Sequence, residues 1–199
     1  MRVRSILRVA GRALPLAALL LGGTGCPILY GLSIEKEWVK GPVTRTAPDL
    51  ARHPLQDIVV VNPFPKQWEG QWLYDGGEAE RFSHILWQRM PDRHVYKVDL
   101  PIGVTPEQVE EALAAHDRGR VVALLGVDHP VDAVVVGRVR EHDFENAYQQ
   151  GFQTTREGSA TAFDLDGQEL WHAEASTKAS VTHVTWQLAS LLAESFPRR

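Results

Sequence analysis

The sequence predicts a mixed α/β (α+β) domain on a single sheet, part parallel and part antiparallel, with helices packed on it. Three stretches carry that prediction. "DIVVVNPF" (57–64) is a short continuous apolar run closed by a proline, the pattern of a strand buried on both faces. "TPEQVEEALAAHD" (105–117) opens with Thr105 at an N-cap, Pro106 at the first helical position and Gln108 placed to complete a capping box. "DLDG" (164–167) joins two strand-like runs as a compact hairpin loop, with Gly167 free to take positive φ.

The remaining elements follow in order. "EGQWLYDGG" (69–77) reads as a loop. "EAERFSHILWQRM" (78–90) carries Ala79, Phe82, Ile85, Leu86 and Met90 at helical spacing and is stopped by Pro91. "RHVYKVDL" (93–100) alternates as a second strand. In the helix over 105–117, Val109, Ala112, Leu113 and His116 form the inner stripe, and Glu107, Glu110 and Glu111 lie toward the positive end of its dipole. "RVVALLGVDHP" (120–130) suits a strand by its β-branched start and a short helix by "ALLG", with Gly126 past its end; the short helix is the favoured reading. "VDAVVVGRVREHD" (131–143) begins as a buried strand and then alternates, so its far half opens to solvent on one face. "FQTTREGSATAFD" (152–164) and "QELWHAEAST" (168–177) are two further strands. "VTHVTWQLASLLAESF" (181–196) is a closing helix with Val184, Leu188, Leu191, Leu192 and Phe196 inward. The order is β-α-β-α-(short α)-β-β-β-α. Helical crossovers make the first three strands parallel and the hairpin makes the last two antiparallel.

Before this domain lies a different kind of sequence. Residues 1–25 hold Arg2, Arg4, Arg8 and Arg12 and no acid. The apolar run Ala13–Leu21 would span about 13 Å as a helix, less than half of a ~30 Å hydrocarbon core. It has the length of a signal-peptide core. Gly22, Gly23, Thr24 and Gly25 follow, and then Cys26, the only cysteine. At Thr24-Gly25-Cys26 the sequence resembles the bacterial lipoprotein signal, although Gly23 stands where leucine is usual. That resemblance implies a diacylglycerol on the Cys26 thiol, cleavage before it and a mature chain that starts there. Pro27 at the next position resembles an outer-membrane sorting pattern. The expected organisation is a signal peptide (1–25), a lipidated cysteine and tether (26–54, punctuated by Pro27, Gly31, Gly41, Pro42, Pro48 and Pro54) and a globular domain (55–199). Trp38 and Val39 are the tether residues expected to dock on the domain.

Charge narrows the function classes. The formal net charge is −4, and residues 26–199 hold 17 basic against 25 acidic side chains. Nucleic acid is a poor partner for such a surface. A single cysteine excludes a disulfide framework within the chain and a cysteine-rich zinc site. None of the eight histidines (His53, His84, His94, His116, His129, His142, His172, His183) makes a metalloprotease spacing, and local hydrogen bonding explains them without a metal. Gly158-Ser159 lacks a nucleophile elbow. "DGG" lacks the lysine and length of a phosphate loop. Asp164 and Asp166 suit a turn better than a calcium site. No cofactor is implied.

Val61-Asn62-Pro63-Phe64, "VDAVVVGRV" and "FDLDGQELWHAEAS" together resemble an envelope lipoprotein group. It includes the TolB amino-terminal domain, the curli-secretion lipoprotein CsgG, the penicillin-binding-protein activator LpoB and the GNA-type lipoproteins. The resemblance spans about residues 56–196 and implies the fold and an envelope location, without one activity. Unlike the pore-forming curli member, "DFENAYQQGFQTTREG" (143–158) has too few outward apolar residues for a spanning strand. The expectation is a non-catalytic, periplasm-facing lipoprotein on the outer membrane that binds another envelope protein or supports assembly or secretion. Its first candidate for a partner surface is Lys66, Trp68, Trp72 and Tyr74, two tryptophans and a tyrosine in one loop. Two alternatives are an enzyme acting on envelope polymers through carboxylates such as Asp75, Glu78 and Glu80, and a small-ligand receptor with an apolar pocket.

Overall fold

The computed structural model describes residues 38–47, 50, 55–74, 77–147 and 151–198. Its strands are β1 (Trp38–Thr46), β2 (Asp57–Asn62), β3 (Lys66–Trp68), β4 (Gln71–Leu73), β5 (His94–Asp99), β6 (Ala133–Ala147), β7 (Gly151–Phe163) and β8 (Glu169–Ser180). The helices are α1 (Gly77–Arg89), α2 (Pro106–Ala114), α3 (Arg118–Leu125) and α4 (Val181–Ser195). All eight strands join one mixed sheet with the main order β1-β8-β7-β6-β2-β5, while β3 pairs with β4 and β6. As the crossovers require, β2 is parallel to β5 and to β6, whereas β6–β7 and β7–β8 are antiparallel.

The sheet separates two apolar layers. On one face Ile58, Val60, Val135, Ala162 and Trp171 pack beneath α1 and α4, which supply Phe82, Leu86, Leu188 and Leu192. Phe64, Phe82, Trp171 and Phe196 form an aromatic chain with centroid spacings of 5.7, 6.4 and 4.8 Å. Gly137 has no side chain because one would drive its Cβ to 2.6 Å from the Phe64 ring. On the other face Val59, Val61, Val134 and Val136 meet Val109, Leu113, Val121 and Leu125 from α2 and α3. β2 is thus buried on both sides, as its unbroken apolar run requires.

Local signals match the observed ends of elements. The capping box of Thr105 and Gln108 is formed, with Thr105 N donating to Gln108 Oε1 at 3.0 Å. Asp117 caps α3 through Arg120 N, and Gly126 ends it in the left-handed conformation at φ 64°. Gly167 adopts φ 80° and lies so close to α2 that a Cβ would fall 2.0 Å from the Leu113 carbonyl oxygen.

Four expectations are revised. Residues 38–46, read as part of the tether, form β1 and pair antiparallel with β8; Pro42 and a register shift between Lys40 and Val43 hide the strand's alternation. The stretch 69–77 is not all loop, because Gln71–Leu73 pairs with Lys66–Trp68 as a small hairpin. β6 and β7 run past their expected ends into a ribbon whose last pair is Ala147 with Gly151. His116 does not join the inner stripe of α2. The helix ends at Ala114, His116 takes φ 56° on the exposed side, and its Nδ1 donates to the Asp166 carbonyl. Cys26 and the signal lie outside the described residues.

Candidate functional site

In open α/β sheets a ligand crevice forms where the crossovers diverge, outside the carboxyl ends of the parallel strands. Here β2 is followed on one side by β5 and on the other by β6, so that point lies between β2 and β6. The chain fills it with its own backbone. After Asn62 the chain continues in the same direction as β3 alongside β6, with Lys66 opposite Val139, and Val139 N donates to the Pro65 carbonyl at 2.9 Å.

That continuation carries Lys66 inward. Its ammonium lies 3.5 Å from Glu141. Arg156 also reaches Glu141, through Nη2 at 3.2 Å, while its Nη1 donates to Glu78 and to the Thr185 hydroxyl. Thr185 donates in turn to Glu78 at 3.4 Å. Two cations and two carboxylates are therefore buried together where α1 and α4 meet β3, β6 and β7. Glu78, in the first turn of α1, also faces the positive end of that helix dipole. The balance of formal charge keeps the cluster tolerable in a low-dielectric place, since a buried ion without partners costs several kcal/mol, about 3–5 on removal of one partner.

The predicted partner loop is thus divided. Lys66 is buried and ion-paired. Trp68, two residues on, is 38% exposed at the rim. Trp72 sits in β4 opposite Gln67 by its backbone pairing. Tyr74 is 52% exposed and donates to Glu107; desolvation first, and the carboxylate second, raise its phenol above the ordinary value. Of the carboxylates considered for chemistry, Glu78 belongs to the buried cluster, Glu80 is exposed on α1, and Asp75 lies outside the described residues.

An uncommitted surface lies on the sheet itself. α2 and α3 cover β2, β5 and the start of β6. Among the described residues no helix covers the same face of β7, β8, β1 and the far half of β6. Pairing places Lys40, Ser176, Glu157 and Arg140 in one row and Val43, Glu174, Ser159 and Arg138 in the next. A shallow recess of about 510 Å³ runs across these rows, with Gln67 of β3 at its edge. Side chains on this face bond to one another. Arg138 makes a two-pronged pair with Glu110 of α2, which holds its guanidinium above the ordinary value. Arg140 Nε donates to Gln67 at 3.4 Å, and His142 Nε2 is 3.5 Å from Glu157. His172 joins the Thr161 hydroxyl at 2.8 Å to Glu174 at 3.0 Å. The alternation of "VGRVREHD" signalled an open face. The burial of Lys66 left no such sign, because Lys66 and Glu141 are 75 positions apart.

A second cleft of about 270 Å³ lies at the carboxyl ends of β2 and β5, against the start of α2. Asn62 donates there to Asp99, and that bond, with Lys97 adding to it against the opposing effect of burial, holds the Asp99 carboxyl below the ordinary range. No described group of three or more His, Cys, Asp or Glu side chains is arranged to hold a metal ion. No described helix is long and apolar enough to cross a membrane.

No protein-family model matches the chain, and no curated protein matches it. Among solved structures it is similar to a leucine-to-methionine variant of the PelC dodecamer from Paraburkholderia phytofirmans, at 14% identity over 82% of this chain and 100% of that one, with a TM-score of 0.48. It is also similar to the PelC dodecamer of the same organism in another crystal form, at 14% identity over 79% and 92% of the two chains, with a TM-score of 0.43.

Proposed function

We propose that this chain is a lipid-anchored protein of the bacterial envelope, held through Cys26 on the periplasmic face of the outer membrane, whose folded unit docks another envelope protein without catalysing a reaction. The observation that carries the docking surface is the half-covered sheet. One face is roofed along most of its width by α1 and α4, while half of the other presents paired charges of both signs around a shallow recess. Such a face suits a polar partner that exchanges one set of charge-assisted bonds for another.

The non-catalytic reading rests on where the chemistry-bearing groups have gone. The crevice at the divergence of the crossovers holds β3, and the two buried carboxylates, Glu78 and Glu141, are spent on Arg156 and Lys66. The envelope reading rests on the basic residues, apolar run and Thr24-Gly25-Cys26 of the leader, and on the resemblance of residues 56–196 to the TolB-like lipoprotein group.

Two measurements test it. Metabolic labelling with a fatty-acid probe is expected to mark the wild-type chain and not Cys26→Ser; label that persists in the variant removes the anchor. Photocrosslinking from Arg140, Ser159 and Glu174 in the native envelope is expected to trap one defined protein. No crosslink from the open face, with a defined crosslink from Trp68 instead, would return the partner site to the β3–β4 hairpin.

A further inference from the structure

On the opposite side of the molecule from the open sheet face, α1, α4 and β5 form a groove of about 590 Å³ that the docking proposal leaves unused. Two tryptophans stand in it. Trp87 is 54% exposed and Trp186 is 40% exposed. Neither is required by the core: α1 buries Phe82, Ile85 and Leu86, and α4 buries Val184, Leu188 and Leu192. Large apolar rings turned outward on two packed helices are the exception that calls for an explanation.

The groove holds both rings in place with polar neighbours. The Arg81 guanidinium stacks on Trp186 at 4.0 Å from the ring centroid. His84 lies beside Trp87, with centroids 6.1 Å apart and planes 32° from parallel, and Gln88 donates to His84 Nε2 at 3.0 Å. Glu80 and Lys97 complete the lining, so donors and acceptors of both signs surround the indoles. Val95 is the one aliphatic side chain there. A membrane-inserting patch would instead present aliphatic side chains on a convex surface and exclude carboxylates.

We propose that this groove binds a flat, β-linked glycan. The C–H faces of successive sugar rings lie on the Trp87 indole and on Trp186, where a sugar ring takes the place of the stacked Arg81 guanidinium, and the hydroxyls bond to the released Arg81, to His84, Glu80 and Lys97. An aromatic plate with a few converging polar groups, in a groove within the ~300–1,000 Å³ range of ligand sites, meets both demands of a ligand that is apolar on its faces and hydroxylated at its edges.

The test uses the full-length chain with Cys26→Ser, so that no lipid contributes. Cellohexaose and the β-1,4 hexamer of N-acetylglucosamine are titrated by calorimetry. Binding of at least one is expected. Each of Trp87→Ala and Trp186→Ala should weaken it by about tenfold or more, the scale of losing an aromatic anchor, while Trp68→Ala leaves it unchanged. Circular dichroism verifies that the variants fold, and Arg81→Ala and His84→Ala serve if either alanine variant does not. Failure of both sugars to bind, or binding insensitive to the groove variants, overturns the proposal. So does sedimentation with phosphatidylethanolamine–phosphatidylglycerol vesicles that the same variants abolish, which would assign the groove to a membrane surface. Crosslinking from the open sheet face reads a separate surface, so the two proposals stand or fall independently.

Discussion

The two halves of the sheet obey different rules. Where β2 pairs with the start of β6, the strands are roofed on both faces, and Val59 and Val60, adjacent in the chain, are both fully buried. In the β7-β8-β1 half, only the face beneath α4 is apolar, and Ala160, Ala162, Ala173 and Ala175 alternate with Ser159, Thr161, His172 and Glu174. The first half is a scaffold whose surface is consumed by folding. The second leaves a polar face outside the core, and the partner surface we propose lies there. The buried ion cluster sits at the seam, where the helical roof ends and the β6–β7 ribbon continues.

The strongest way to break this contrast is at the seam. Arg156→Met leaves Glu78 and Glu141 buried with one cation fewer, and is expected to lower unfolding free energy by about 3–5 kcal/mol in urea titrations. A loss under about 1 kcal/mol would show the cluster to be hydrated and the seam open. The next test compares the halves directly. Leu113→Ala, beneath the doubly covered half, should destabilise by about 2–5 kcal/mol. Ser159→Ala, on the open face, should stay within about 0.5 kcal/mol. Equal effects would mean that the open face is covered in the native protein.

The smallest expected effect concerns pH. The Asp99 carboxyl is held below its ordinary value of about 3.9 chiefly by the hydrogen bond from Asn62. A depressed carboxylate stabilises the fold above that ordinary value, and the contribution is lost as pH falls through the lower folded value. Wild-type protein should therefore exceed Asn62→Ala in stability at pH 6, with the margin shrinking at pH 3. A margin that does not change with pH would show that Asn62 acts by packing alone.

What short-range chemistry controls was legible in the chain. The apolar run of β2, the capping box at Thr105, the cap at Gly126 and the turn ending at Gly167 each depend on residues within a few positions. Those signals determined the order of the main elements from β2 onward, without the β3–β4 hairpin, and the parallel pairing of β2, β5 and β6 and the antiparallel pairing of β7 with β8. They also marked the alternation that exposes one face of the far half of β6. What the tertiary structure alone decided depends on partners far apart in sequence. β1 exists because β8 offers it an edge, although Gly41 and Pro42 blur its own pattern. Lys66 is buried because Glu141 meets it there, and Glu78 reaches Arg156 across 78 positions. Trp87 and Trp186 share a groove because α1 packs against α4. A charged or aromatic side chain carries no local sign of its partner, so only the closed fold could sort buried ions from exposed rings.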